Sequence, residues 1–280
     1  YHPTLRGARV PVVRMYGVNR KGNSVCAFIH GFEPYFYVEM PSGFTPDDID
    51  AFRKTLETKL IEGARGASAL ANGYPLVTSV GVERKKNLWG YNPGESKPFL
   101  KVTVLLPKFV SSARTILERG FNIPGVGYQQ FSTFESNVLF ILRFMIDCNI
   151  VGGNWLEFPK SSYTIRSKAN KVSYSQLEVD VRYDSIISHP SEGEFMDLAN
   201  LRILSVDIEC AGRKGHFPDA DLDPVIQIAS MLTVQGASEP CVRNIMTLNT
   251  CAPIVGSEVM TFDKEADLLR AWADLMRKTD

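Results

Sequence analysis

Leu201-Arg202-Ile203-Leu204-Ser205-Val206-Asp207-Ile208-Glu209-Cys210 is the run on which the reading of this chain turns. Its aliphatic and β-branched content predicts a strand, and side chains along a strand alternate between two faces. Ile203, Ser205, Asp207 and Glu209 therefore share one face, and Leu204, Val206 and Ile208 the other. The apolar flanks predict a central, buried strand. Two carboxylates side by side on such an element are costly to bury unless positive charge sits between them. A hard divalent cation with oxygen ligands suits that arrangement. The bare tripeptide Asp-x-Glu is common, however. Its plainer reading is a charged strand end, solvated or paired with Arg202 or Arg213.

Outward from this run the pattern is regular. The loop Cys210-Ala211-Gly212-Arg213-Lys214-Gly215-His216-Phe217-Pro218 places small and cationic residues just beyond the acids, which suits a strand end facing an anion. Strands are predicted over Val225–Val234 and Val242–Leu248. A helix capped by Asp263 follows over Lys264–Lys278, with the stripe Leu268, Leu269, Trp272, Leu275 and Met276. Three strands followed by a helix open a ribonuclease H-like α/β domain, which is incomplete at Asp280.

Upstream, Val10–Met15 and Ser24–His30 read as a hairpin across the turn-forming Gly17–Asn23. Tyr35–Val38 is a third strand. Thr45-Pro46-Asp47-Asp48 starts a helix with Ile49, Phe52, Leu56 and Leu60 on one face, ending by Gly66. Strands Leu76–Val82 and Phe99–Leu106 and a helix over Ser111–Glu118 closed by Gly120 follow. This order predicts an α+β domain of the split βαβ type, with OB-like elements. Thr133–Asn137 opens a longer helix with the stripe Val138, Ile141, Leu142 and Met145, and Asn154–Phe158 and Tyr174–Tyr183 read as strands. The polar turn Ser188–Glu194 marks a boundary, giving domains 1–195 and 196–280.

Composition bounds the classes available. The 280 residues carry 44% apolar and 22% charged side chains, the proportions of a globular chain with room for two cores. No apolar run approaches the roughly 18–20 residues of a membrane span. Tyr1-His2-Pro3 shows no signal-peptide pattern, and the start without Met reads as a fragment. Cys26, Cys148, Cys210, Cys241 and Cys251 form no Cys-x-x-Cys pair and read as buried free thiols. Residues 1–200 carry 23 cationic and 19 acidic side chains, whereas residues 201–280 carry 8 and 12. His30, His189 and His216 lack ligand spacing and read as core or loop histidines.

Val206-Asp207-Ile208-Glu209-Cys210-Ala211-Gly212-Arg213-Lys214-Gly215 with Asp223-Pro224-Val225-Ile226-Gln227-Ile228-Ala229 resembles the first exonuclease motif of the family B DNA polymerases. The Cys210–Gly215 continuation has the form of the eukaryotic replicative members. Val10–Gly17, His30–Tyr37, Phe134–Val138, Arg143–Asp147 and Gly153–Glu157 are similar to the same family's N-terminal domain. The resemblance implies a 3′–5′ proofreading exonuclease of the DEDD type, with Asp207 and Glu209 as the first two of its four metal-binding acids. It implies Mg2+, or Mn2+ in its place, in a two-metal site, with ions roughly 4 Å apart. The remaining acids, the polymerase domain and an iron–sulfur cluster in the C-terminal region would lie beyond Asp280, so residues 1–280 alone are expected to be nearly inactive. Implied partners are a DNA primer-template, a single-stranded 3′ end, accessory polymerase subunits and a sliding clamp, with no membrane, in the nucleus.

Two basic and aromatic stretches are candidate DNA contacts. Lys160, Arg166, Lys168 and Lys171 interleave with Tyr163 and Tyr174, and Arg84, Lys85 and Lys86 precede Trp89 and Tyr91. Cations alternating with rings fit a single-strand surface, and a solvated hairpin fits equally; the resemblance favours template-strand contact. A different class of reading makes the region a non-catalytic nucleic-acid-binding scaffold whose Asp-x-Glu is a relic. A free-standing exonuclease leaves residues 1–195 unexplained.

Overall fold

The computed structural model describes residues 9–63, 73–87 and 96–279, and the chain divides into two compact units. The first comprises Tyr1–Met15, Ala27–Ile165 and Val179–Phe195; the second comprises Tyr16–Cys26, Arg166–Glu178 and Met196–Asp280.

Strands β1 (Val13–Val18) and β2 (Ser24–His30) are neighbours in one sheet. The turn between them is built by Asn19, whose Oδ1 accepts the amides of Lys21 and Asn23, both at 3.0 Å. Gly22 completes it at φ 79°, a region that glycine enters without steric cost.

The first unit contains β3 (Tyr35–Glu39), α1 (Pro46–Gly63), β4 (Val77–Lys85), β5 (Lys97–Val104), α2 (Lys108–Arg119), β6 (Phe121–Ile123), β7 (Gly127–Gln129) and β8 (Thr133–Phe134). The sheet order β4-β5-β3-β8, antiparallel at every pair, is the split βαβ arrangement expected from the sequence. At the start of α1, Thr45 Oγ1 donates to Asp48 Oδ2 at 2.7 Å, and the Asp48 amide returns a 3.4 Å bond to that hydroxyl, a reciprocal cap. Phe36, Val38, Leu100 and Val102 from the sheet meet Phe52, Leu56 and Leu60 of α1 and Phe109, Ala113 and Leu117 of α2 in one buried core.

The expected long helix after Thr133 is instead β8, a turn and the short α3 (Phe140–Asp147). Its predicted stripe is also corrected. Arg143 and Phe144 are the buried positions, while Ile141 and Leu142 are exposed. Phe32 explains the rotation, because its ring packs 5.4 Å from Phe144 and 5.5 Å from Phe140. Arg143 is held by Glu135 at 2.5 Å and lies over the Tyr35 ring. Short strands β9 (Leu156–Glu157), β10 (Tyr163–Ile165), β11 (Leu177–Arg182) and β12 (Ile187–Ser188) follow, pairing β10 with β11 and β9 with β12.

The second unit is built on β13 (Arg202–Cys210), β14 (Val225–Val234), β15 (Val242–Leu248), β16 (Glu258–Phe262) and α4 (Glu265–Thr279). The first three strands, expected from the sequence, pair antiparallel. The sequence reading has no counterpart to β16, which pairs in parallel with β15. Leu268 of α4 is fully buried on Ile228 and Met246, with Trp272 and Leu275 packed beside them. Trp272 Nε1 donates to Ser230 Oγ at 3.2 Å and ties helix to sheet.

One expectation is overturned. The strand carrying Asp207 and Glu209 is not central: among the described residues it pairs with β14 alone and stands at the end of the sheet. Ile203, Val206 and Ile208 remain 50%, 40% and 52% exposed. An apolar alternation reports that a strand has a face to pack, but it carries no information on how many neighbouring strands it has.

Candidate active site

The register of β13 on β14 fixes its two faces. Leu204, Val206 and Ile208 stand opposite the buried Leu232, Ser230 and Ile228, of which Ile228 packs on Leu268 of α4 and Ser230 bonds to its Trp272. Asp207 and Glu209 stand opposite Ala229 and Gln227 on the other face, as the alternation predicts. Both acids are exposed. Asp207 Oδ1 accepts the Ile208 amide at 3.1 Å, and neither carboxylate is ion-paired among the described residues. The premise that a cation is needed to offset burial therefore falls away, because water solvates both groups here.

Just after Glu209 the pairing slips, Cys210 standing opposite Val225, so a β-bulge bends the strand end. The loop leaving it is closed at its base by the Ala211 amide on Pro224 O, at 2.9 Å. Its centre is Asp223, which is 3% exposed. The Asp223 carboxylate accepts Arg213 Nε at 3.0 Å, Arg213 Nη2 at 3.2 Å and the Asp219 amide at 2.8 Å. The Arg213 guanidinium and then the Asp219 amide hold the Asp223 carboxyl below the usual carboxylate range. The loop is fastened to the helix side as well, since the Val225 amide donates to Glu265 Oε1 at 2.7 Å.

Arg213 pairs with Asp223 rather than with the acid pair, and Arg202 reaches the carbonyls of Thr279 and Gly22 instead. His216 lies on the loop, its amide on Arg213 O at 3.1 Å. Phe217, its neighbour in sequence, is 93% exposed, an aromatic ring almost wholly in water on the loop that follows the acid-bearing strand. Among the described residues, no group of three or more His, Cys, Asp or Glu side chains is placed to hold a metal ion. Asp207 and Glu209 thus offer hard oxygen donors on one face, the chemistry a divalent cation takes, but only part of a ligand set.

The candidate DNA contacts lie on several elements of both units. Arg84 and Lys85 lie on β4; Arg84 donates to the Ser96 backbone and hydroxyl, and Lys85 pairs with Glu83 at 3.0 Å beside the Tyr37 ring. Lys86 is exposed after the strand, and Trp89 and Tyr91 lie outside the described residues. Lys160 and Lys168 are exposed, while Lys171 is folded onto the carbonyls of Ser175 and Gln176. Arg166 lies 3.8 Å from Glu178, a buried carboxylate. Burial favours the neutral acid there, yet hydrogen bonds from Ser173 and Val172 and the nearby Arg166 outweigh it and lower its pKa. Tyr174 is exposed, with Arg277 over its ring at 5.1 Å.

Of the other histidines, His30 is buried on Asp180 at 2.6 Å. His189 stacks on Phe195 and meets Glu157 at 2.9 Å. Cys26 alone of the five thiols is fully buried; Cys241 is exposed and the rest are half-buried.

Residues 131–280 match the family profile described as DNA polymerase family B, exonuclease domain, and residues 31–111 match the DNA polymerase delta catalytic subunit-like N-terminal domain. The DNA polymerase delta catalytic subunit of Arabidopsis thaliana is 51% identical over 97% of this chain and 24% of its own length. That of Drosophila melanogaster is 45% identical over 99% of this chain and 26% of its own. The chain spans about a quarter of the length of the curated relatives it matches. The family B DNA polymerase of the archaeon Pyrobaculum calidifontis has the same fold over 99% of this chain and 28% of its own, at a TM-score of 0.60 and 22% identity. The chain belongs to the family B DNA polymerases, and it is homologous to the N-terminal and exonuclease region of the delta catalytic subunits.

Proposed function

We propose that this region serves a replicative DNA-directed DNA polymerase as its N-terminal domain, residues 1–195, and the first part of its 3′–5′ proofreading exonuclease, residues 196–280. The observation that carries this reading is the placement of Asp207 and Glu209 on one solvent-facing side of β13 within the matched exonuclease region. The two carboxylates would hold a divalent cation, Mg2+ or Mn2+, together with acids from the rest of the polymerase. Such a cation supplies positive charge to the oxygens around the scissile phosphorus. A carboxylate oxygen of Glu209 would accept a hydrogen bond from the attacking water and aim it, while Asp207, an anion like the phosphate, would act through the cation it helps to hold. Phe217 offers a ring for a base of the single-stranded 3′ end. Lys86, Lys160 and Lys168, all exposed residues, add phosphate contacts on the template side. Work in the nucleus with accessory subunits and a sliding clamp fits the same reading.

The exposure of the acid pair favours a second reading. Solvated carboxylates cost little to keep, so a non-catalytic scaffold would tolerate them as a relic. One experiment separates the two. In the full-length polymerase, Asp207→Ala with Glu209→Ala is expected to abolish trimming of a single-stranded 3′ end while primer extension continues. Unchanged trimming would leave the scaffold reading standing.

A further inference from the structure

The buried Asp223 and its partner arginine have no part in the acid pair, yet they stand in the loop that begins at its strand. Arg213 gives Nε and Nη2 to Asp223, while its side chain stays 47% exposed and the Asp223 side chain is wholly buried. An arginine gripped along one edge by a buried carboxylate loses little further rotamer freedom on binding, and its free edge presents a planar pair of donors. Arg213 is four positions after Glu209, so their Cα atoms lie within about 14 Å even if the chain between them were fully extended.

We propose that Arg213 is a phosphate-binding residue for the strand being trimmed, and that Asp223 is its positioning residue. The guanidinium would take two oxygens of a phosphodiester close along the strand from the one held at Asp207 and Glu209, since fork-to-phosphate pairing is the geometry it offers. Asp223 keeps that edge turned outward and also holds the loop closed through the Asp219 amide. Lys214, adjacent in sequence, adds charge without that constraint. The inference rests on the exonuclease reading above.

The test uses the full-length polymerase and a single-stranded oligonucleotide, with trimming followed over a range of salt concentrations. Arg213→Ala is expected to lower kcat/KM about tenfold and to reduce the slope of log kcat/KM against log salt by about 0.7, the value of one phosphate contact on a single strand. Arg213→Lys keeps the charge, so it should keep the slope while losing part of the rate. Asp223→Asn frees the guanidinium and should raise KM with the slope retained. A drop in rate for Arg213→Ala with an unchanged slope would assign the pair to loop folding alone and overturn the proposal, as would a kcat/KM within twofold of the unsubstituted enzyme. Asp207→Ala with Glu209→Ala, run alongside, keeps the two claims apart. If it abolishes trimming while Arg213→Ala changes nothing, the phosphate contact fails and the exonuclease reading survives.

Discussion

Replacing Trp272 by Phe should loosen the sheet that carries the acid pair. Ser230, which accepts the indole N–H, stands directly opposite Val206, and its neighbour Ala229 stands opposite Asp207. Ser230 is 3% exposed, so without the indole its hydroxyl is left buried with no partner, at a cost of about 1–3 kcal/mol. The smaller ring forfeits roughly another 1 kcal/mol of apolar burial, giving a total of about 2–4 kcal/mol. Ser230→Ala alone strands only the indole N–H, which lies in a half-buried side chain that water reaches, and should cost about 1 kcal/mol. In the double variant neither group is orphaned, so the two losses should fall short of additivity by about 1 kcal/mol. Native-state hydrogen exchange is the assay, because it reads each unit separately. Amides of β13 and β14 should lose protection by these amounts while those of β3 and β5 keep theirs. Strict additivity, within about 0.4 kcal/mol, would refute the coupling and with it the role given to this bond.

Two further predictions come from the first unit and from the Arg166–Glu178 segment. Gly120 sits at φ 82° and ψ 160°, where an added Cβ would lie 2.8 Å from Gln129 O and 2.6 Å from the Tyr128 hydroxyl. Gly120→Ala should therefore cost about 2–4 kcal/mol, whereas Gly125→Ala, also at positive φ but in open space, should cost only its backbone strain; equal losses in thermal denaturation would contradict the clash. Glu178 has its pKa lowered in the folded chain, so its ionised form stabilises the Arg166–Glu178 segment above the ordinary glutamate value of 4.5, and that contribution disappears as the pH falls through the lower, folded value. Exchange protection of the Val172 and Ser173 amides should fall on acidification, and Glu178→Gln should remove the pH dependence at a lower baseline.

Much of the fold was legible because local patterns carried it. The Thr45–Asp48 cap, the Phe52/Leu56/Leu60 stripe and the strand–helix–strand–strand–helix order each rest on spacing that short-range physics imposes. The alternation along β13 likewise put Asp207 and Glu209 on one face. The α3 stripe of Val138, Ile141, Leu142 and Met145 misled because it rested on apolar spacing alone, whereas the helix buries Arg143. Its burial rests on Glu135 and Tyr35, from different elements, and no helical period reports such partners. The strand β16 was missed because its run of β-formers is short and follows a loop with little patterning.

By itself, the sequence determined that two carboxylates stand two residues apart on a strand and that a loop of small and cationic residues follows. Both statements depend only on backbone geometry within a few residues. Tertiary structure alone decided that, among the described residues, this strand lies at the sheet's end with its acids exposed, and that Arg213 pairs with the buried Asp223. Those outcomes depend on which elements become neighbours. Solvation and ion pairing follow from neighbours, and a one-dimensional pattern does not specify them.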